Sequence, residues 1–116
     1  MTFLQRIRKP FRFTNGNVTL VLIGVNVLVF ALTSVAREAF VYLAMIPAAV
    51  LRLGWVWQPF TYMFVHANLR HLLFNMLGLF FFGAAVERSL GSREFLFFYL
   101  LTGALAGLFS LAAFAL

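Results

Sequence analysis

Three long apolar runs alternate with polar stretches along the chain. They cover residues 18–36, about 69–86, and 95–116, and the first holds 19 residues without a charge. A helix of that length extends about 28 Å, close to the ~30 Å hydrocarbon thickness of a bilayer. The pattern therefore predicts an all-α integral membrane protein with three transmembrane helices.

The end of the first run also has the small residues of a signal-peptide cleavage site, at Ser34 to Ala36. The apolar core of a typical signal peptide is shorter, roughly 7–15 residues, and here further apolar runs come after it. We favour an uncleaved membrane helix.

Residues 37–68, between the first and second runs, have a different character. The apolar stretch 40–46 is too short to span, and Pro47, Gly54 and Pro59 interrupt the residues after it. Tryptophan and tyrosine, which favour the membrane–water boundary, are frequent here. We predict an interfacial or re-entrant loop. Since lipid cannot satisfy irregular backbone, this loop must rest on protein or at the membrane surface.

The composition agrees with a membrane protein. Of the residues, 64% are hydrophobic and 10% are charged, against roughly 45–50% and 25% in soluble domains. A chain of this length could not bury so much apolar surface in water, so a soluble domain is excluded. The absence of cysteine excludes disulfides, thiolate metal sites and thiol nucleophiles.

The positive charges indicate topology rather than a nucleic-acid partner. There are nine basic and three acidic residues, and the basic ones flank the apolar runs instead of clustering among aromatics. The expected partner is the lipid bilayer. Six basic residues lie on one side, four of them in the N-terminal segment 1–17 (Arg6, Arg8, Lys9 and Arg12), and three on the other (Arg37, Arg52 and Arg70). This bias predicts a cytoplasmic N-terminus.

His71 and Asn75 are polar residues inside the second apolar run. Their spacing of four places the side chains on one helix face, about 5–6 Å apart. Buried polar groups in lipid are costly unless paired. Two interpretations stay open: the pair bonds to a neighbouring helix or to the loop, or it donates to a developing oxyanion.

No metal or cofactor site is expected. His66 and His71 are five residues apart, without a carboxylate nearby in sequence, which matches no common zinc spacing. We interpret His66 as structural.

Three further residues have predicted structural roles. Gly103 and Gly107 form a G-x-x-x-G pair that lets another helix approach closely. Glu87 falls at the C-terminal end of the second helix, where the helix dipole disfavours an acid. We therefore expect an arginine partner: Arg88, Arg93 or an N-terminal arginine.

Several motifs of the chain resemble the rhomboid family of intramembrane serine proteases. The segment from Trp57 to Met76 carries the pattern H-x4-H-x3-N after an aromatic loop, and F-G-x3-E-x3-G follows from Phe82 to Gly91. Phe95, Tyr99 and Gly103 extend the resemblance. It covers most of residues 18–116 and is strongest over 57–103.

The resemblance implies a six-helix bundle whose active site lies below the outer membrane surface. It implies a serine nucleophile in G-x-S-G on the fourth helix, a histidine base on the sixth, and no cofactor. It assigns His71 and Asn75 to the oxyanion hole and His66 to the organisation of the first loop. Trp57, Thr61, Glu87 and Gly91 match positions that shape that loop and the cytoplasmic turn.

The chain departs from the family pattern in one important respect. Its serines are Ser34, Ser89, Ser92 and Ser110, and none has the G-x-S-G context; its histidines are His66 and His71. We therefore expect the N-terminal half of a bacterial inner-membrane protease that cleaves transmembrane protein substrates. Alone, without the C-terminal half, it should be inactive.

Two alternatives remain. One is a non-catalytic rhomboid-like pseudoenzyme that binds membrane helices. The other is a small membrane transporter subunit, which would need an ionisable residue at membrane depth. The apolar pattern places Glu38, Glu87 and Glu94 outside the predicted spans, which argues against the transporter.

Overall fold

The structure, a computed structural model, describes residues 17–115. The predicted N-terminal basic residues Arg6, Arg8, Lys9 and Arg12 lie outside the described residues, as does Leu116. The described part is helical and contains no strand, in agreement with the predicted all-α class.

Seven α-helices follow one another within the described part. They are α1 (Asn17–Val35), α2 (Arg37–Leu43), α3 (Pro47–Leu53), α4 (Gln58–Thr61), α5 (Leu69–Gly78), α6 (Ala84–Leu90) and α7 (Ser92–Ala115). A 3₁₀ turn, Tyr62–Phe64, follows α4, and a π-helical turn, Leu79–Gly83, joins α5 to α6.

Three of these segments are long and apolar enough to cross a membrane: Val18–Val35, Leu69–Leu90 and Ser92–Ala115. We call them span 1, span 2 and span 3. Span 2 is the continuous helix formed by α5, the π turn and α6. The short helices α2, α3 and α4 make up the loop between spans 1 and 2.

The polar turn between spans 2 and 3 is shorter than the sequence suggests. The apolar pattern ends the second span at residue 86 and begins the third at 95, whereas only Gly91 lies between helices α6 and α7. Its φ of 96° is a value that favours glycine. Glu87 and Glu94 consequently lie within the helices that contain the second and third spans, near the ends that meet at Gly91.

The buried core of the described residues is small and lies where the three spans meet. Val18, Leu22 and Phe95 are buried there, and partly buried neighbours pack against them: Phe64, Leu79, Val86 and Tyr99. Most other large apolar side chains of the spans are exposed. Such a surface suits a lipid environment and would not be stable in water.

Glu87 joins the three spans at one end. One carboxylate oxygen accepts hydrogen bonds from the Thr19 backbone N–H at 2.9 Å and the Thr19 hydroxyl at 2.7 Å. The other accepts from the Val18 N–H at 3.0 Å and the Ser92 hydroxyl at 2.6 Å. The first N–H groups of a helix have no partner within the helix, and its N-terminus is electropositive. Glu87 therefore caps α1 through backbone N–H groups and hydroxyls. The arginine partner expected from the sequence stays a prediction, since the N-terminal arginines lie outside the described residues.

Gln58 organises the loop in a similar way. Its buried side chain accepts a hydrogen bond from the Ile46 N–H at 2.9 Å and donates to the carbonyls of Val41 and Tyr42 at 3.1 and 3.0 Å. The Thr61 hydroxyl donates to the Leu43 carbonyl at 2.7 Å. These bonds satisfy carbonyl groups in the last turn of α2 and the N–H group of Ile46 just before α3, which allows irregular backbone to lie against a membrane.

We predict that Glu87→Ala lowers the free energy of unfolding by at least about 2 kcal/mol, because it leaves buried N–H and hydroxyl donors without an acceptor. Glu87→Gln should lose less, since it keeps the volume and one acceptor oxygen. Unfolding in mixed detergent micelles, followed by circular dichroism, measures both.

The exposed acid Glu38 provides the matched control for these variants. Glu38→Gln should leave stability unchanged. Equal stability of Glu87→Ala and the unaltered chain would contradict the capping role.

Candidate functional site

A groove of 560 Å³ lies among the three spans and the loop. All three spans contribute to its lining, together with the end of the loop. Its walls are mainly apolar, and five residues with polar side chains able to form hydrogen bonds line it: Asn26, Tyr62, His66, Asn75 and Tyr99.

Asn75 lies on the groove, on a helix whose first turn is capped. The Asn68 side chain accepts a hydrogen bond from the His71 backbone N–H at 2.8 Å and caps the start of α5. Asn75 follows about 10 Å further along this helix. The residue is exposed and lines the groove.

His71, the other predicted oxyanion donor, occupies a different place. It does not belong to the groove lining, and its side chain is exposed. Its ring lies edge-on to that of His66, with 5.3 Å between the ring centroids and 82° between their planes. The structure therefore brings His71 to His66, and only Asn75 of the predicted pair directly to the groove.

His66 is buried, with 5% of its surface exposed, between the groove and a small cavity that Arg37, Phe40 and residues at the end of span 1 also line. Burial lowers the pKa of His66 below its ordinary 6.5, and the nearby His71 adds to this; a backbone hydrogen bond with Phe64 acts in the opposite direction. A lowered pKa keeps His66 neutral at neutral pH. Two imidazoles can then remain in contact without charge repulsion.

Three polar residues of the groove are not assigned to the site by the sequence. The Tyr62 hydroxyl donates to the Gly103 carbonyl at 2.8 Å, and burial raises the pKa of Tyr62. The Asn26 amide donates to the Leu22 carbonyl at 2.7 Å and lies 3.4 Å from the Tyr99 hydroxyl. Of these residues, the sequence could have indicated Asn26, because it is the strongly polar residue of the first apolar run.

The loop, rather than another span, approaches the two glycines of span 3. A Cβ atom at Gly103 would lie 2.7 Å from the sulfur of Met63. A Cβ atom at Gly107 would collide with the Pro59 carbonyl oxygen and lie 2.6 Å from the Tyr62 ring. Gly107 is about 22 Å along α7 from Ser92, so the loop reaches well into the length of a span.

The remaining predicted structural residues lie at opposite ends of the spans. Trp57 is in the loop, where its indole N–H donates to the Tyr42 carbonyl at 2.9 Å. Glu87 and Gly91 lie at the junction of spans 2 and 3. Within residues 17–115, no cluster of three histidine or acidic side chains could hold a metal ion.

Comparison with known proteins agrees with the motifs. A family model described as a rhomboid domain matches residues 53–115. The chain is 32% identical over 100 residues to the rhomboid protease GlpG of Haemophilus influenzae, an alignment that covers 85% of this chain and 52% of the relative. It is 35% identical over 110 residues to the rhomboid proteases GlpG of Salmonella newport and Salmonella typhimurium, covering 90% of this chain and 40% of each relative.

The chain thus spans about half the length of these relatives, or less. No solved structure matches it significantly. The apolar spans and the rhomboid matches together identify an integral membrane protein.

We predict that Gly107→Ala lowers the free energy of unfolding by about 1–3 kcal/mol, because the added methyl group collides with backbone rather than with a flexible side chain. Detergent unfolding followed by circular dichroism measures the loss.

Gly24→Ala in α1 is the matched control, since a Cβ atom there meets nothing within 4 Å. It should be neutral, or stabilising by up to about 1 kcal/mol. Equal effects of the two substitutions would rule out close packing at Gly107.

Proposed function

The chain belongs to the rhomboid family, and we propose that it supplies the oxyanion-binding half of an intramembrane serine protease. The reaction is hydrolysis of a peptide bond in a transmembrane protein substrate near the membrane surface. The observation that carries this proposal is the position of Asn75, an exposed residue that lines a groove among the three spans. The relatives' own description as rhomboid proteases supports it.

The proposed chemistry is electrostatic. Attack on a peptide carbonyl produces a negatively charged oxygen, and N–H donors held in place beforehand stabilise it most in a water-poor site. The Asn75 amide provides such donors from the groove wall. We assign a second donor to the His71 ring, which lies one turn before Asn75 on α5 and contacts His66 of the loop. In the described structure this ring lies outside the groove lining, so the role requires it to turn toward the groove when substrate binds.

The nucleophile and the base are assigned to further helices of the same fold. The hydroxyls of two serines of this chain have other bonds: Ser92 donates to Glu87 and Ser34 to the Phe30 carbonyl. The relatives are about two to two and a half times as long as the stretch that they share with this chain. A C-terminal half is therefore the expected partner, and the described residues alone should not cleave.

We predict that Asn75→Ala and His71→Ala each lower the cleavage rate by roughly 10²–10³, because each removes a donor to the transition-state oxyanion. The complete gene product containing this chain is reconstituted in liposomes with a transmembrane substrate, and product formation is timed.

Leu73→Ala is the matched control on α5, since Leu73 is 53% exposed and is not part of the groove lining. An unchanged rate for Asn75→Ala would disprove its role. Stable binding of the substrate without cleavage by the unaltered protein would instead support the non-catalytic helix binder.

We further propose that the protein lies in a bacterial inner membrane with a cytoplasmic N-terminus. The support is the excess of basic residues before span 1 and between spans 2 and 3. This topology places the loop outside and the Gly91 turn in the cytoplasm.

Cysteine labelling tests this topology, since the chain has no cysteine of its own. We predict that a membrane-impermeant maleimide labels Leu53→Cys in intact cells but labels Ser89→Cys only after permeabilisation. Both positions are exposed and lie at opposite ends of the spans. The reverse pattern would overturn the assignment.

A further inference from the structure

The small cavity beside His66 has a volume of 360 Å³ and a largely polar wall. Residues 30–40, at the end of span 1 and the start of α2, line it together with His66 and Ala67. This volume is within the range of small-ligand sites, roughly 300–1,000 Å³. Because span 1 ends and span 2 begins here, the cavity is expected at the membrane–water boundary, where phospholipid headgroups lie.

Arg37 gives this cavity a positive charge. It lines the cavity, and its guanidinium lies 5.9 Å from the centre of the Phe40 ring, which belongs to the same wall. Of the residues that the structure describes, no acidic one lines the cavity or pairs with Arg37. A guanidinium suits planar recognition of phosphate. The cavity therefore favours an anionic group.

His66 contributes a buried polar atom that lacks a partner. Its ring belongs to the cavity wall, and its Nδ1 atom forms no hydrogen bond within residues 17–115. Such an atom destabilises a protein, because it has given up its hydrogen bonds with water. Burial lowers the pKa of His66, so the ring is uncharged at neutral pH. A hydroxyl group can pair with Nδ1 in either neutral tautomer, since a hydroxyl both donates and accepts.

Two hydroxyl groups of span 1 add acceptors to the same cavity. The Thr33 hydroxyl donates to the Val29 carbonyl at 2.9 Å, and the Ser34 hydroxyl donates to the Phe30 carbonyl at 2.7 Å. Because these bonds use both protons, the two hydroxyl oxygens can only accept from a ligand. A matching ligand therefore carries hydroxyl donors as well as a negative charge.

We propose that this cavity binds a glycerophosphoryl group, a phosphate ester that carries free hydroxyls. The phosphate pairs with the Arg37 guanidinium, and the glycerol hydroxyls bond to His66 Nδ1 and to the Thr33 and Ser34 oxygens. The position at the membrane boundary favours the headgroup of phosphatidylglycerol as its source, and soluble glycerol phosphate offers the same chemistry. The site depends on membrane insertion and is independent of proteolysis.

A lipid that lacks only the hydroxyls tests the site. The complete gene product containing this chain is placed in vesicles of equal parts phosphatidylglycerol and phosphatidylethanol, which have the same charge and identical acyl chains. Native mass spectrometry measures the lipid that remains bound after extraction. We expect roughly twofold to tenfold more phosphatidylglycerol, the range that one neutral hydrogen bond gives. His66→Phe, which keeps an aromatic ring, should remove this preference, and Arg37→Gln should reduce the retention of both lipids.

Arg52→Gln is the matched control, because Arg52 is an exposed arginine of the same loop that does not line this cavity. It should keep both the retention and the preference. Circular dichroism of each variant shows whether the helices are retained. If His66→Phe does not fold, Thr33→Val removes one of the acceptor oxygens at similar volume and should lower the preference.

Soluble glycerol 3-phosphate distinguishes the two sources of the ligand. Displacement of bound phosphatidylglycerol by an excess of it would identify a free phosphate ester, and persistence of the lipid would identify the headgroup. Equal retention of the two lipids by the unaltered protein would overturn the proposal. So would an unchanged preference in a folded His66→Phe or Thr33→Val variant.

Discussion

The arrangement of the three spans depends on one buried carboxylate. Glu87, with 2% of its surface exposed, accepts hydrogen bonds from the start of α1 and from Ser92 at the start of α7. It satisfies N–H groups that lipid could not satisfy, and it places negative charge at an electropositive helix end. Lipid tails are as apolar as the side chains, so apolar contacts alone do not determine which helix ends pack together. The hydrogen bonds of Glu87 determine this at one end of the spans.

The loop provides the second point of attachment, further along the spans. Gln58 satisfies the backbone of the loop from within, and Tyr62 bonds to the Gly103 carbonyl of span 3. At Gly107, which has no side chain, α4 packs directly against the backbone of α7. Between these two attachments the spans leave a groove, and Asn75 lies on its wall.

Part of the candidate site can be predicted from the sequence, because polar residues are uncommon within apolar membrane spans. His71 and Asn75 stand out because a polar residue in an apolar span needs a reason. The sequence could not show that His71 turns toward His66 while Asn75 faces the groove. It also gave no sign that Tyr62 and Tyr99, both from elements distant in the chain, would complete the groove lining.

Local hydropathy and residue spacing are enough to predict the three membrane helices, the loop between the first two and the family motifs, because each of these is a property of neighbouring residues. The partner of Glu87, the one-residue turn at Gly91 and the element that packs on Gly103 and Gly107 emerge only from the three-dimensional packing. Each of these depends on which distant groups meet. The Glu87 carboxylate is stable in the last turns of its helix because the free N–H groups at the start of α1 donate hydrogen bonds to it. Neighbouring residues in the sequence do not indicate that these two groups are in contact.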